Sequence, residues 1–550
     1  MLCSPILQLS TALFKRALWV WAGQVGVCVA VDLAQHGGKV LVLDQDDSLS
    51  EGSRAICFAK RTLEILDRLG VGEQAVARGV VWNTGKVFLR DRLLYQFDLL
   101  PEPGHHRPAF INLQQYLMEQ LLVERLKMLP GAELRWRHRV TGLAPRADGV
   151  TVEVETPAGL EHFDCDYVVA CDGARSPLRH LLGLESRGQV FRDRFLIADV
   201  RMQADFPPER WFWFDPPFHP GQSVLLHRQA DNVWRIDFQL GWDADPERER
   251  QSENVLPRIR TMLGPDRPFT LEWVSVYTFQ CRRMDRFAHG RVLFAGDAAH
   301  QVSPFGARGA NSGIQDADNL AWKLCAVLRG EAPPALLESY DAERVPAADE
   351  NILHSTRSTD FITPKSDASR ALRDATLQLA EFFPFARRLV NSGRLSLPSV
   401  YRDSPLNTAD DAAFGQDACG PGAPAADAPV DTRDGRSWLI DEVGGRFDLL
   451  YFAGADGVPD ALRERFEALR RQPVPVETTV ISARGMRPDV GRYFEDIDGL
   501  FAARYDAAPG SAWLLRPDQH VCARWRRFDP DRVRAAQRRA LALPALETVT

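Results

Sequence analysis

Residues 290–324 read GRVLFAGDAAHQVSPFGARGANSGIQDADNLAWKL. Arg291 to Ala295 is a short apolar run stopped by Gly296 and Asp297, which predicts a buried strand that brings a carboxylate to the carboxyl edge of a sheet. That edge is where α/β folds bind their ligands. The loop that follows, Pro304-Phe-Gly306-Ala-Arg-Gly309-Ala-Asn311, lets bare backbone come close to a ligand. It feeds a predicted helix over 312–324, whose N-terminal N–H groups and dipole favour negative charge. Alone, such a strand, loop and helix also serves as a plain structural turn.

Working outward to the start of the chain, 18–21 reads as a strand, Gly23-Gln-Val-Gly26 as a turn, 27–36 as a helix and 39–43 as a second strand ending in Asp44. This is a βαβ unit with an acidic residue about 20 positions beyond the glycines, placed for a ribose hydroxyl. Where Gly-x-Gly-x-x-Gly is wanted, the sequence has Trp21-Ala-Gly23-Gln-Val-Gly26. A Cβ and an indole at the first position should obstruct the turn beside a pyrophosphate. The preceding MLCSPILQLSTALFKRA is equally atypical, and the expectation is that the first ~20 residues are not ancestral. Residues 17–34 superficially resemble an export signal after Lys15 and Arg16, but Gln24 and Asp32 interrupt them and the βαβ reading explains the same residues.

The bulk numbers narrow the class. At 550 residues the chain should hold two or three domains. A net charge of −7 carries no basic footprint, which argues against nucleic acid. Nine cysteines without a C-x-x-C argue against a disulfide framework or a zinc site, so no metal is expected and a reducing cytoplasm fits.

Further along, 53–69 reads as a helix opened by Ser53 and Arg54, 86–100 as a strand pair, and 110–125 as an amphipathic helix carrying Gln114 and Gln115. Residues 167–179, YVVACDGARSPLR, run a strand into a turn and helix around Asp172, Gly173 and Arg175. Segments 191–200, 209–214, 223–229, 233–240 and 270–280 alternate like antiparallel strands. The aromatic run from Arg210 to His219 could line a pocket for a planar ring or form a core face of the sheet. After 404–429, rich in Ala, Pro, Asp and Gly and read as a linker, strands and helices alternate to the C-terminus.

Gly296-Asp297 with Pro304-x-Gly306-x-x-Gly309-x-Asn311 and 318–324 (DNLAWKL), the Asp172-Gly173 segment and the βαβ unit together resemble the class A flavoprotein aromatic hydroxylases, the family of p-hydroxybenzoate hydroxylase. SRAICFAKRTLEILDRLG at 53–70 and the long C-terminal extension most resemble the 3-(3-hydroxyphenyl)propionate hydroxylase-like members. The resemblance implies an α/β (α+β overall) fold: a Rossmann-like FAD-binding domain, an inserted antiparallel-sheet substrate domain and a thioredoxin-like C-terminal domain. The implied partition is 1–84, 105–185 and 282–403 for FAD binding and connecting helices, 85–104 and 186–281 for substrate, 404–429 as linker and 430–550 as the thioredoxin-like part.

It also implies roles. FAD would be held by Gly23, Gly26, Asp44, Arg54, Gln115 (Gln114 is the alternative), Asp172, Gly173, Arg175, Gly296, Asp297, Pro304, Gly306, Gly309 and Asn311, with Asp297 on the ribityl chain and the amides of 306–311 on the flavin pyrimidine edge. NADH or NADPH would reduce the flavin transiently, and O2 would reach a phenolic ring through a flavin C4a-hydroperoxide. Trp213, His219, His227 and Arg228 are the substrate candidates, with Arg235 a further cation; no catalytic residue is named. Two alternatives stay open: an FAD monooxygenase of another aromatic or polyketide, and a silent remnant that has lost FAD. Neither membrane nor nucleic acid is an expected partner, and the C-terminal part would serve stability or subunit contact, as in a homodimer.

If Trp21 obstructs the turn, Trp21→Gly tightens FAD binding in a fluorescence titration; unchanged affinity rejects the obstruction.

Overall fold

The computed structural model describes residues 17–21, 23–50, 52–390, 396–410, 414–415, 418–454 and 457–545. The atypical residues 1–16, Ala22 and the Trp21 side chain lie outside the described residues. Chain order begins β1 (Ala17–Trp21), α1 (Gln24–Gln35), β2 (Lys39–Leu43), β3 (Cys57–Ala59), α2 (Lys60–Arg68), β4 (Thr84–Leu89), β5 (Arg92–Asp98), α3 (Gln115–Lys127), β6 (Ala132–Arg135) and β7 (Tyr167–Ala170). It continues with β8 (Ser186–Arg201), β9 (Arg210–Phe214), β10 (Ser223–Arg228), β11 (Val233–Leu240), α4 (Ser252–Leu263), β12 (Thr270–Met284), β13 (Val292–Phe294), α5 (Gly309–Leu328) and α6 (Glu338–Ile362).

The apolar runs of β2, β7 and β13 are buried on both faces, as parallel strands require. They lie in a sheet ordered β13, β7, β1, β2, β6, all parallel, with the short strand Ala288–His289 antiparallel at the edge. The chain leaves β1 for β2 on one side and returns as β7 on the other, so β1 marks the switch point where a crevice opens at the carboxyl edge. The segment that resembled an export signal is thus the central strand and its helix. No helix of the described residues is long and apolar enough to cross a membrane.

A second sheet runs His300–Gln301, β12, β8, β11, β10, β9, β4, β5. Alternation along its strands gives it two cores. Phe195, Phe214, Leu225 and Phe279 face one side, packed with Phe305, Ile362 and Leu377. Leu196, Trp213, Val224, Trp234 and Phe238 face the other, covered by Val255 and Ile259 of α4. The C-terminal part is a seven-stranded mixed sheet centred on Phe447–Gly454 and Val476–Ala483, packed by Asp460–Arg470 and Pro530–Ala540.

Three local expectations shift. Helix α1 starts at Gln24, so the residues read as a turn are its first turn and Gly26 is a buried helix residue. Residues 57–59 and Phe110–Asn112 pair as antiparallel strands, so the helices expected from 53 and 110 begin at Lys60 and Gln115; strand pairing overrides the helical pattern there. The stretch read as a linker is partly a strap: Gly422 N donates to Val521 O (2.7 Å), Val521 N to Ala423 O (2.9 Å) and Ala425 N to Gln519 O (2.8 Å), with Ala425 and Ala428 buried.

The C-terminal sheet is joined to the first by buried charge. Glu343 of α6 accepts from Lys323 of α5 (2.7 Å), from Arg516 and from Asn319 (2.7 Å), and Arg516 also meets Asp518 (Nη2–Oδ2 2.5 Å). Burial acts to raise the Glu343 pKa, but Arg516 and Lys323 outweigh it and hold the carboxyl far below its usual range. Its stabilisation is complete above an unfolded pKa of about 4.3 and is lost as pH falls toward the folded value. Glu343→Gln should therefore cost about 3 kcal/mol at neutral pH in urea unfolding, with the gap to wild type narrowing below about pH 4. Coincident neutral unfolding curves would contradict this.

Candidate functional site

Strand β13 ends where Ala295 N donates to Ala170 O (3.0 Å), and the chain then turns through Gly296 at φ +61. Glycine is required there twice over: φ is left-handed, and an added Cβ would come within 3.1 Å of the Val25 side chain at the start of α1. The Gly296 amide donates to Oδ2 of Asp316 in α5 (2.9 Å). Asp316 has no exposed side-chain surface and also meets His300 Nε2 (2.6 Å) and Arg344 Nε (2.6 Å). Burial would raise its pKa, but His300 and Arg344 prevail and hold it below the usual range. Arg344 goes on to Tyr401 Oη (3.0 Å) and to Ser312 O and Oγ (3.1 and 3.0 Å). This buried post fixes Gly296, and with it the direction of Asp297.

Asp297 is exposed in the turn that follows β13. Protein around the crevice raises its pKa, offset in part by His300 and Arg54. The glycine loop follows, with Gly306 at φ +98 and Ala307 at φ +53. Asn311 closes the loop from inside: Oδ1 accepts from Ala59 N (2.8 Å) and Thr62 Oγ1 (2.6 Å), while Nδ2 donates to Cys57 O (2.9 Å) and Ala307 O (2.5 Å). Its side chain is therefore a brace between loop, β3 and α2, with no group left for a ligand. Gly309 opens α5, Pro304 is exposed, and no side chain caps α5.

The remaining sequence-derived residues gather at the same edge. Gly23 is the N-cap of α1, which has neither a side-chain cap nor an acid in its first turn. Asp44 follows β2, buried, and accepts from Asp46 N (2.9 Å). Gln115 Oε1 accepts from the Arg54 and Ala55 amides (3.3 and 3.2 Å), whereas Gln114 is buried and donates to Ala230 O (3.0 Å). Asp172 accepts from Leu178 N (2.9 Å) on one oxygen, and its other oxygen is buried without a partner. Gly173 has φ +78 and the Arg175 side chain is exposed. Arg179, which motif reading did not single out, ties this turn to the Gly296 turn by donating to Ala174 O (2.9 Å) and Ala298 O (2.8 Å).

Two uncapped helix N-termini, left-handed glycines at 173, 296 and 306, and the partnerless Asp172 oxygen fit a dinucleotide such as FAD. Gly23, Asp44, Arg54, Asp172, Asp297 and 306–309 are the residues at this edge that could hold it.

Beside the loop is a small, partly open cavity lined by Lys86, Val87, Phe97, Arg210, Phe212, Phe214, Ser358, Ile362 and, from the loop itself, Phe305 and Gly306. Phe305 packs edge-on against Phe195 (5.0 Å) and Phe279 (5.3 Å). The strand pleat decides which expected substrate residues reach this side. Arg210, Phe212 and Phe214 do. Trp213 is in the core beneath α4, Arg228 covers the Trp234 ring (5.6 Å), and His219 packs on Phe238 with Nε2 at 2.7 Å from Gln239 O, all on the opposite face. His227 is buried on the cavity face. Arg235 is spent on Asp199 (2.8 Å) and the Ser53 carbonyl.

The FAD binding domain family matches residues 17–355. The chain is 30% identical over 515 residues to 3-(3-hydroxy-phenyl)propionate/3-hydroxycinnamic acid hydroxylase of Mycolicibacterium smegmatis, covering 91% of this chain and 89% of that protein. It is 33% identical over 544 residues to 6-methylpretetramide 4-monooxygenase of Streptomyces rimosus, covering 93% and 91%. The fold matches that of the flavin-dependent monooxygenase PieE in complex with FAD and substrate, with a TM-score of 0.82 at 23% identity over 97% and 100% of the two chains.

Asp316→Ala should cost about 3–5 kcal/mol of stability and weaken FAD binding, because it leaves Arg344 buried without its counter-charge. Asp297→Ala should weaken FAD binding while leaving thermal stability near wild type. Equal effects of the two on melting temperature would contradict these separate roles.

Proposed function

We propose, from the premise that this chain belongs to the FAD binding domain family and is an FAD-dependent monooxygenase of the aromatic-hydroxylase type, that it hydroxylates a small phenolic acid of the 3-(3-hydroxyphenyl)propionate class with O2 and NADH or NADPH. The observation that carries this reading is the aromatic cavity sharing Phe305 and Gly306 with the glycine loop, which would set a planar ring against whatever the loop holds. Bound FAD, reduced by the nicotinamide, supplies activated oxygen. The chain contributes position and dryness. Phe97, Phe212, Phe214 and Phe305 confine the ring and keep water from it. Asp297 and the amides of 306–309 orient the flavin, and Asp172 with Gly173 serves the dinucleotide.

A larger polycyclic substrate is the second reading, supported by the likeness to 6-methylpretetramide 4-monooxygenase; it uses the same site. The FAD and substrate domains are taken with the boundaries given above, and 430–550 as a thioredoxin-like appendage for stability or homodimer contact in a cytoplasmic enzyme.

The test is to mix the purified protein with NADH or NADPH, 3-(3-hydroxyphenyl)propionate and O2. Flavin bleaching that quickens with the phenol, and O2 uptake matched by a hydroxylated product, are expected. Nicotinamide oxidation indifferent to the phenol contradicts the substrate class, and a colourless protein that takes up no added FAD contradicts the enzyme.

A further inference from the structure

The cavity face of the eight-stranded sheet carries ionisable side chains that the protein itself leaves without partners. Trp211 pairs with Leu226 and His227 with Arg235, which sets Arg210 of β9 beside His227 of β10 on one face; Leu225 pairs with Asp237 of β11 one row on. The Arg210 side chain makes no hydrogen bond or ion pair among the described residues and reaches the cavity next to Phe305 and Gly306. His227 is 3% exposed, and its Nδ1 has no partner. Asp237 Oδ1 is likewise buried and without one. His227 Nε2 and Asp237 Oδ2 stand 3.9 Å apart, too far for a direct hydrogen bond. Their surroundings are Arg235, neutralised by Asp199, and Cys57 of β3, whose thiol burial raises to about 11 and so keeps neutral. His227 and Asp237 lie on the sheet face from which Arg210 reaches the cavity, one and two strands in; buried polar atoms without partners there, and a 3.9 Å gap between Nε2 and Oδ2 that one ligand atom can bridge, point to a ligand group.

The donor set selects the group. A guanidinium only donates, a carboxylate only accepts, and a neutral imidazole does one of each. A substrate carboxylate would be repelled by Asp237, and an ammonium by Arg210. A hydroxyl suits all three, since one oxygen can lie within hydrogen-bond distance of both His227 Nε2 and Asp237 Oδ2 across a 3.9 Å gap.

We propose that Arg210, His227 and Asp237 form the receptor for the substrate's phenolic hydroxyl, its oxygen bridging His227 and Asp237 beside the Arg210 guanidinium, with Asp237 taking the proton as the ring is activated. This rests on the hydroxylase reading above. The phenol O–H bond breaks, its electron pair stays on oxygen facing Arg210, and the proton passes to the Asp237 carboxylate. The ring becomes electron-rich as oxygen transfer requires. Burial raises the Asp237 pKa to about 6 against the pull of Arg235 and Arg210, so it can accept a proton above that pH. Burial and the two arginines keep His227 neutral.

The test compares binding of 3-(3-hydroxyphenyl)propionate and 3-phenylpropionate to the FAD-loaded, oxidised protein by flavin difference spectra. Wild type should prefer the hydroxylated ligand by at least about tenfold, and the preference should grow as pH rises through about 6. Arg210→Met, His227→Gln and Asp237→Asn should each collapse the ratio while affinity for 3-phenylpropionate stays near wild type, which also shows that the variants fold. Asp237→Asn should lose the pH dependence. Equal affinities in wild type, or an Arg210→Met variant that weakens both ligands alike as a carboxylate contact would, overturns the assignment; turnover of the phenol by wild type would then leave the hydroxylase reading standing. A protein that neither binds nor hydroxylates the phenol overturns both.

Discussion

A single buried carboxylate, Asp316, sets the geometry on which the site depends. It takes the Gly296 amide, His300 and Arg344 at once, so the end of β13, the start of α5 and helix α6 share one anchor. An ion pair this deep is worth little against an apolar replacement, yet breaking it is costly, which makes it a device for position more than for stability. Because Gly296 is pinned, Val25 of α1 can pack against both it and Gly313, where an added Cβ would sit 2.6 Å from Val25 Cγ2. The two helices thus present their N-termini to the same crevice.

From that anchor the structure builds outward in layers that each use one interaction twice. Asn311 braces the glycine loop and simultaneously holds β3 and α2. Arg235 closes on Asp199 within the second sheet while reaching the Ser53 carbonyl in the loop before β3, which ties the two together. Glu343, next to Arg344 in α6, gathers Lys323 and Arg516 and so brings the C-terminal sheet onto the same scaffold.

The sequence was most legible where backbone conformation is at stake. Gly173, Gly296 and Gly306 announce left-handed turns, and apolar runs at 39–43, 167–170 and 292–294 announce buried parallel strands. It was least legible where tertiary pairing or pleat decides. The pairing of Cys57–Ala59 with Phe110–Asn112 cannot be read from either segment alone. In β9, aromatic residues at 211, 212, 213 and 214 conceal which parity faces the cavity; Arg210 was the clue, because an unpaired arginine shares its face with Phe212 and Phe214 while Trp213 turns away. Nothing in the sequence places Asp316 or Arg344 beneath Gly296; only the fold brings them there.

The most direct test of the account is a fluorescence titration of FAD with the purified, unaltered chain. Stoichiometric quenching at one FAD per chain is the predicted result, since the anchored turn, the braced loop and the two helix N-termini form the cradle. Flavin that stays fully fluorescent in the presence of folded protein would contradict it.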